Sequence, residues 1–280
     1  PCAINATRNL QEATMFPDPR SILITGASSG IGEALARHYA APGVTLHLGG
    51  RNPERLEAVA QGCREAGAEV LTWTGEVTDA EGMRQWISQS DAHHPLNLVI
   101  ANAGVALGSS RVGGLHRAAV DSFDVNVGGV FNTVHPALEV MSQRRPYPVG
   151  DAQVALMSSI MGYAGMARSP AYSSSKAAVK HYGQALRGAF RGTGIGVTVI
   201  CPGYVGTPLV AGNRSPMPFL VPVDRAAQVI ARGLARNKAR ITFPWQMVLL
   251  GRLVINLPNF LMDRLNQPWG VPRLENQPEP

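Results

Sequence analysis

The chain has 280 residues, of which 45% are hydrophobic and 16% are charged, enough apolar material to bury the core of one sizeable α/β domain. The formal net charge is +6, but no basic run is interleaved with aromatic residues, so nucleic acid is not expected as a partner. The excess of positive charge would instead suit binding to a membrane surface or to an anionic cofactor. Three scattered cysteines form no disulfide framework and no metal-ligand spacing, which favours a reducing compartment, and we expect the cytoplasm.

The beginning of the chain has no apolar run of the kind that directs secretion, and its residues show no periodic pattern. Met15 stands just before the first strand pattern. We therefore expect residues 1–14 to be an extension that is either disordered or foreign to the natural chain. No linker interrupts the next part of the sequence, so residues 15–243 are expected to form one domain.

Short apolar runs alternate with helical patterns through this domain. Strands are predicted at 21–25, 44–50, 68–77, 96–104, 152–159 and 194–203, and helices at 32–41, 53–67, 79–91, 117–143 and from about 170. Continuous apolar strands separated by helices indicate a parallel sheet that is covered on both faces, with right-handed crossovers. The predicted fold class is α/β, a doubly wound parallel sheet (Rossmann fold) in a single domain with an apolar C-terminal extension.

A glycine-rich segment, TGASSGIG at 25–32, lies between the first strand and the first helix. Glycine allows a tight turn and a close approach of the backbone to a ligand. The amino end of the helix then offers unpaired N–H groups to a phosphate. This position in an α/β chain predicts a dinucleotide site, although a tight strand–helix connection without a ligand would use the same residues.

The segment AYSSSKAAVK at 171–180 places Tyr172 and Lys176 four residues apart, on one face of a predicted helix. Taken alone, this spacing is most typical of an amphipathic helix with a packed tyrosine and a solvated lysine. Tyrosine is a poor base at neutral pH because its ordinary pKa is near 10, and a cation one turn away would lower that pKa. The pair therefore suits proton transfer if other motifs support it.

Four segments in order resemble the single-domain branch of the short-chain dehydrogenase/reductase family. They are TGASSGIG at 25–32, ANAG at 101–104, SSIMGYAGMARSPAYSSSK at 158–176 and PGYVGTP at 202–208. The resemblance covers roughly residues 20–243. It implies an oxidoreductase that transfers a hydride between a nicotinamide coenzyme and a carbonyl or secondary alcohol substrate.

The resemblance also implies a catalytic set. Tyr172 would act as general acid/base, and Lys176 would lower its pKa and bind the nicotinamide ribose. Ser159 would position the substrate oxygen, and the backbone of Asn126 would help to hold a water that relays protons to the lysine. Ser158 is one residue away and is expected to face the opposite way.

Coenzyme choice is predicted from the end of the second strand, where an acidic residue commonly binds the ribose hydroxyls and excludes a 2′-phosphate. Here Gly50 and Arg51 occupy that position, so no carboxylate repels the phosphate and a guanidinium can pair with it. We expect NADP(H) to be preferred.

The family usually has Asn and Asp where this chain has Ala101 and Glu76. The coenzyme contacts that the resemblance implies are Gly26, Ser28, Ser29, Gly30, Ile31, Arg51, Glu76, Val77, Asn102, Ala103, Gly104, Tyr172, Lys176, Pro202, Gly203, Val205 and Thr207.

The resemblance further implies a homo-oligomer, a dimer or a tetramer, formed through the helices near 117–143 and 170–191. Three other interpretations stay open at this point: an epimerase or dehydratase with the same Tyr–Lys pair, a non-catalytic NADP(H)-binding regulator, and a membrane-surface protein. The TGxxxGxG spacing argues against the first, and the presence of both Tyr172 and Lys176 argues against the second.

The extension at residues 244–280 is unusually apolar for a segment beyond the last strand. Its run between Pro244 and Pro258 has 13 residues and includes Arg252, whereas about 20 residues are needed to cross a bilayer. Three roles are open: a lid over the site, a contact between subunits, or a peripheral contact with a membrane surface. The loop SPMPFLVP at 215–222 lies where the family has its substrate loop. Its residues Met217, Phe219 and Leu220 could cap an apolar substrate, or they could only anchor the loop by apolar packing.

Overall fold

The structure is a computed structural model of the chain. It describes residue 16 and residues 19–107, 112–144, 152–167, 169–211 and 216–266. The expectation about residues 1–14 lies outside the described residues, and so does the last part of the C-terminal extension.

The described strands form one seven-stranded parallel sheet in the order β3-β2-β1-β4-β5-β6-β7. The direction in which strands are added reverses between β1 and β4, and in such sheets a crevice opens there at the carboxyl ends of the strands. The strands are β1 (Ser21–Thr25), β2 (Thr45–Gly50), β3 (Glu69–Thr74), β4 (Leu98–Ala101), β5 (Ala152–Met157), β6 (Ile195–Pro202) and β7 (Arg240–Phe243).

Helices cover both faces of the sheet. In chain order they are α1 (Gly30–Tyr39), α2 (Pro53–Glu65), α3 (Ala80–His93), α4 (Val112–Phe123), α5 (Gly129–Gln143), α6 (Pro170–Ala189), α7 (Pro208–Ala211), α8 (Val223–Ala235), α9 (Trp245–Ile255) and α10 (Asn259–Asn266). Helices α1, α2 and α8 pack on one face, and α3, α5 and α6 pack on the other.

The core is divided by the sheet into two apolar clusters. In β1, Ile22 and Ile24 belong to the cluster with α1, α2 and α8, while Leu23 between them belongs to the other cluster. All three side chains are fully buried. Burial of each such side chain contributes about 1.5–3 kcal/mol. Because both faces of the sheet are covered, the central strands are mostly apolar on both faces instead of alternating.

The helix predicted at 117–143 is interrupted. Residues Asp124–Gly128 form a π-helical turn between α4 and α5. Such turns are rare inside helices and are frequent at functional sites. Asn126 lies in this turn and is fully buried, so the interruption coincides with a residue of the predicted catalytic set.

The C-terminal extension begins with two helices that pack beside the carboxyl edge of the sheet. Helix α9 contacts β7 and the 3₁₀ turn Ile160–Tyr163, and a Cβ at Gly251 would lie 3.8 Å from Ile160. At the end of α10, the Asn266 side chain accepts a hydrogen bond from Ala167 N at 3.1 Å. Within the described ranges, no helix has both the length and the apolar character needed to span a membrane.

Candidate active site

A cleft of about 900 Å³ opens at the carboxyl ends of the strands. It is lined by the loops that follow β1 to β6, and its volume lies in the range of typical small-molecule sites. The loop after β1 carries the glycine turn, and the segment after β5 and helix α6 carry the serine, tyrosine and lysine of the predicted catalytic set.

The glycine turn has the shape that a close ligand requires. Gly26 and Gly30 have φ angles of +65° and +60°, a region that favours glycine. At Gly32 a Cβ would lie 2.2 Å from the carbonyl oxygen of Gly26. The backbone therefore leaves no room for a side chain at this position, and the turn depends on its glycines.

The turn is joined to the loop after β4 by two polar side chains. The Thr25 hydroxyl accepts hydrogen bonds from the backbone N–H groups of Asn102 and Ala103 at 3.0 and 3.1 Å. The Asn102 side-chain amide donates to the carbonyls of Thr25 and Gly26 at 3.0 and 3.2 Å. Asn102 thus orders the turn through its amide, and Thr25, the first residue of the TGASSGIG segment, has a role in the site that the motif alone does not predict.

The residues of the cleft fit a dinucleotide. No side chain caps the amino end of α1, which follows the glycine turn, so this helix end can serve as a phosphate site. Among the described residues that line the cleft, three are cationic (Arg51, Arg55 and Lys176) and one is a carboxylate (Glu76). A cleft with this excess of positive charge attracts an anionic ligand.

The end of β2 is open toward the cleft. Gly50 is buried, and the Cβ of another residue there would lie 3.1 Å from the Ser28 side chain. Arg51 precedes α2 and Arg55 lies in its first turn, and both are exposed at the cleft. The Asn52 side chain caps that helix by accepting from Arg55 N at 2.8 Å. Two guanidinium groups are therefore available to an anionic ligand at this part of the cleft.

Tyr172 and Lys176 both lie in the first half of α6, which begins with a proline at Pro170. Lys176 is only 3% exposed, and its Nζ donates to the Met157 carbonyl at 2.9 Å. Burial lowers the pKa of Lys176 to about 8. Lys176 is therefore buried, whereas the four-residue spacing of a tyrosine and a lysine, taken alone, is most typical of a helix with a solvated lysine.

Ser159 follows β5 and caps the 3₁₀ turn, accepting a hydrogen bond from Met161 N at 3.1 Å. Its hydroxyl also donates to the Pro202 carbonyl at 3.4 Å. Burial raises the pKa of Tyr172, and an interaction with the Ser159 hydroxyl acts in the opposite direction. The serine and tyrosine side chains both line the cleft, and the Ser159 hydroxyl is close enough to Tyr172 to affect its pKa.

Asn126 lies behind the cleft wall. Its side-chain oxygen accepts from Val105 N at 2.8 Å, while its amide donates to the Val105 carbonyl at 2.9 Å and to Ser175 Oγ at 3.0 Å. A Cβ at Gly104 would lie 2.9 Å from the Asn126 oxygen and 3.1 Å from Lys176 Nζ. The asparagine therefore holds the loop after β4 close to the lysine.

All the residues that the sequence predicts as coenzyme contacts line this one cleft. Of the predicted catalytic set, Ser159, Tyr172 and Lys176 line it as well, whereas Asn126 is behind its wall. Sequence reasoning missed several lining residues that belong to no family motif, and their only signal is their position beside a strand end. They include Gly49, Gly75, Thr78, Val105 and Met157.

Comparisons with known proteins agree with this geometry. A family model described as short chain dehydrogenase matches residues 20–217. An uncharacterized oxidoreductase of Myxococcus xanthus is 38% identical over 247 residues, which cover 87% of this chain and 95% of that protein. The chain therefore belongs to the short-chain dehydrogenase family, a family of oxidoreductases, as its motifs predicted.

Solved structures confirm the predicted fold. A short chain dehydrogenase from Mycobacterium paratuberculosis bound to NAD has a TM-score of 0.70 and 21% identity, with 81% of this chain and 97% of that chain covered. A single-residue variant of the actinorhodin polyketide ketoreductase with NADPH has a TM-score of 0.69 and 25% identity, with 79% and 94% covered. One neighbour holds NAD and the other NADPH, so the likeness in fold does not select between the two coenzymes.

Proposed function

We propose that the chain is an NADP(H)-dependent oxidoreductase that interconverts an apolar carbonyl compound and its secondary alcohol, with Tyr172 as general acid/base. The observation that carries this proposal is that Ser159, Tyr172 and Lys176 all line the cleft that the glycine turn borders. Tyrosine and serine provide hydroxyl groups for one substrate oxygen, and the lysine provides a buried positive charge beside them.

The glycine turn and the amino end of α1 would hold the phosphates of the coenzyme, and Lys176 and Thr207 would hold its nicotinamide half. When bound, the coenzyme would supply or accept the hydride. The remaining chemistry belongs to the chain's own side chains. In reduction, the Tyr172 hydroxyl donates its proton to the substrate oxygen, and in alcohol oxidation the phenolate takes that proton back.

Lys176 acts on this proton transfer by its charge. A phenolate is costly in a buried site, and a neighbouring ammonium offsets part of that cost. The Ser159 hydroxyl donates to the same substrate oxygen, or to the phenolate, and so keeps the oxygen within reach of Tyr172. Asn126 contributes by holding the loop after β4 against the lysine.

The preference for NADP(H) is supported by charge at the end of β2. Arg51 and Arg55 are the exposed cations there, and Gly50 provides no carboxylate. A charge-assisted hydrogen bond contributes roughly 1.5–3 kcal/mol, equivalent to a preference of about one to two orders of magnitude in affinity.

An apolar substrate is supported by the side chains near the catalytic group. Val105, Leu107 and Val125 line the cleft on one side, and Leu209 and Val210 of α7 line it on another. Helices α9 and α10 cover the adjoining turn and loop. We assign these two helices to the wall of the substrate end, in preference to a contact with a membrane.

A homo-oligomer is supported by apolar side chains on α4, α5 and α6. Val120 and Phe123 of α4 are 42% and 40% exposed. On α5 and α6, the Phe131 ring lies 4.7 Å from the Tyr182 ring, and His135 Nε2 is hydrogen-bonded to the Tyr182 hydroxyl. Sedimentation at micromolar concentration should give a dimer or tetramer, and a monomer would contradict this part of the proposal.

The test of the activity is a nicotinamide absorbance assay with cyclic, aryl and long-chain ketones and the matching alcohols. We expect turnover with NADPH, and we expect apolar ketones to be better substrates than small polar ones. Tight binding of NADPH with no turnover of any compound would favour a non-catalytic regulator instead.

A further inference from the structure

The segment that carries Ser159 is held against one peptide group of helix α6. The Ser158 hydroxyl donates to the Lys176 carbonyl at 2.7 Å, and Lys176 Nζ donates to the Met157 carbonyl at 2.9 Å. A third contact is steric, because a Cβ at Gly162 would lie 2.7 Å from both the carbonyl carbon and the carbonyl oxygen of Lys176. Real Cβ atoms essentially never approach other heavy atoms closer than 3.0 Å, so only glycine permits this contact.

Gly162 and Ser159 belong to the same rigid turn. Gly162 N donates to the Ser159 carbonyl at 3.0 Å, and Met161 N donates to Ser159 Oγ at 3.1 Å. Gly162 is buried and is not at a positive φ angle, so its need for glycine comes from the contact with α6 and not from the conformation of the backbone.

We propose that Gly162 and Ser158 are positioning residues that set the separation between the Ser159 and Tyr172 side chains. The inference rests on the proposed function, in which these two hydroxyl groups share one substrate oxygen. Tyr172 lies one helical turn before Lys176 on α6, so the distance at which the turn contacts the Lys176 peptide also fixes the distance from Ser159 to Tyr172. A methyl group at position 162 would push the turn away from α6 and carry Ser159 with it.

The expected defect is specific to the chemical step. The glycine turn and Arg51 are on other loops and Lys176 stays on α6, so the affinity for NADPH should change much less than kcat. A displacement of about 1 Å in a catalytic arrangement can lower the rate about 10²-fold. We therefore expect Gly162→Ala to lower kcat by about that factor.

The matched control is Gly165→Ala, three residues later in the same segment. Gly165 is exposed, and nothing lies within 4 Å of a Cβ built there. This variant should keep the kcat of the wild type. The assay is NADPH oxidation with the most active ketone of the panel, alongside calorimetric titration with NADPH.

A double-mutant cycle distinguishes positioning from general damage. If Gly162 acts through Ser159, then Gly162→Ala should have little further effect on kcat once Ser159→Ala has removed the hydroxyl group. A structural role would lower the activity of the double variant by the product of the two single effects. The same cycle with Ser158→Ala in place of Gly162→Ala tests the inference without adding any atoms. We expect kcat of Ser158→Ala to fall by a smaller factor, about threefold to tenfold, because only a hydrogen bond is removed.

A readout that needs no turnover is the ionisation of Tyr172 in the enzyme without ligand, followed by ultraviolet difference titration with Tyr172→Phe as the reference. The Ser159 hydroxyl lowers the pKa of Tyr172, so Gly162→Ala and Ser158→Ala should both raise it. Gly165→Ala should leave it unchanged.

The outcomes separate this inference from the proposed function. If Gly162→Ala and Ser158→Ala match the wild type in kcat and in the pKa of Tyr172 while Tyr172→Phe is inactive, the positioning inference is wrong and the proposed function stands. The positioning inference is also wrong if, in both double-mutant cycles with Ser159→Ala, the fall in kcat of the double variant equals the product of the falls in the two single variants. If Tyr172→Phe keeps its activity, the proposed function itself has failed.

Discussion

The ammonium group of Lys176 lies 5.8 Å from the centre of the Tyr172 ring, one helical turn further along α6. Burial shifts both groups toward their neutral forms, raising the pKa of the tyrosine and lowering that of the lysine to about 8. A charge held at this distance in a buried site is weakly screened. The ionisation of one group is therefore expected to depend on the other.

The buried lysine predicts a pH dependence of stability. Because burial lowers the pKa of Lys176 to about 8 from 10.5, the unfolded chain binds more protons at this lysine than the folded chain between these two values. The contribution of Lys176 to the free energy of unfolding therefore rises with pH across this window. A pKa difference of this size corresponds to about 3 kcal/mol.

Urea unfolding at a series of pH values measures this contribution as the difference between the wild type and Lys176→Met. We expect the wild type to gain stability relative to the variant as the pH rises from 8 to 10.5. Lys238 is exposed, so Lys238→Met is the matched control for the replacement of a lysine by methionine. A flat difference for Lys176→Met would mean that the lysine is not desolvated in solution.

Coenzyme choice is tested at the end of β2. Arg51→Leu should weaken NADPH binding by about one to two orders of magnitude and leave NADH binding unchanged, because only NADPH carries the 2′-phosphate. Arg84 is a surface residue paired with Glu139, and Arg84→Leu is the control. Calorimetric titration of both coenzymes gives the result.

Reversal of the preference requires a carboxylate as well. In the double variant Gly50→Asp with Arg51→Leu, NADH should bind more tightly than NADPH. The new Cβ would be 3.1 Å from the Ser28 side chain, so Ser28 must move by a few tenths of an ångström to accept it. Equal affinities of the wild type for the two coenzymes would contradict the NADP(H) assignment.

The glycine turn should not tolerate a methyl group at Gly32, where a Cβ would lie 2.2 Å from the Gly26 carbonyl oxygen. Gly32→Ala should lower the melting temperature and remove coenzyme binding, because the turn and the amino end of α1 cannot both keep their positions. In contrast, Gly188 of α6 has nothing within 4 Å, so Gly188→Ala should be neutral or stabilising by up to about 1 kcal/mol. A Gly32→Ala protein with unchanged coenzyme affinity would contradict the phosphate site.

The C-terminal helices are tested by ending the chain after Phe243. Loss of α9 uncovers the turn that follows Ser159, so kcat should fall at least about tenfold, and exposed apolar surface should promote aggregation. Trp245 and Leu249 are 71% and 55% exposed. The variant Trp245→Glu with Leu249→Glu changes only the outward face of α9 and should keep wild-type kinetics. Unchanged kinetics after truncation, with only the full-length chain sedimenting with anionic liposomes, would instead show a membrane contact.

The fold and the motif residues could be predicted because their signals are local. The glycine-rich segment and the Tyr172–Lys176 pair each span fewer than about ten residues, and apolar strand patterns alternate with helical patterns along the chain. The contacts between Thr25 and Asn102 could not be predicted in this way, because 77 residues separate them and neither residue type is unusual at the end of a strand.

The π-helical turn and the close contact at Gly162 were missed for the same reason. A wider turn at Asn126 has no sequence pattern of its own, and only the backbone of residues Asp124–Gly128 shows it. The chain has 30 glycines, and no sequence pattern distinguishes Gly162 from the others. Its role follows only from its short distance to the Lys176 peptide. Roles that depend on contacts between distant elements require the structure.

The most direct test of the account is the activity of Tyr172→Phe, which removes one oxygen atom and keeps the ring in place. With the most active ketone and NADPH, kcat should fall by about two to four orders of magnitude, because the proton donor is lost. Tyr182 lies on the same helix outside the cleft, so Tyr182→Phe should keep the kcat of the wild type. Calorimetric titration should show the same NADPH affinity for all three proteins. A Tyr172→Phe enzyme that retains most of its turnover would contradict the assignment of Tyr172 as the general acid/base.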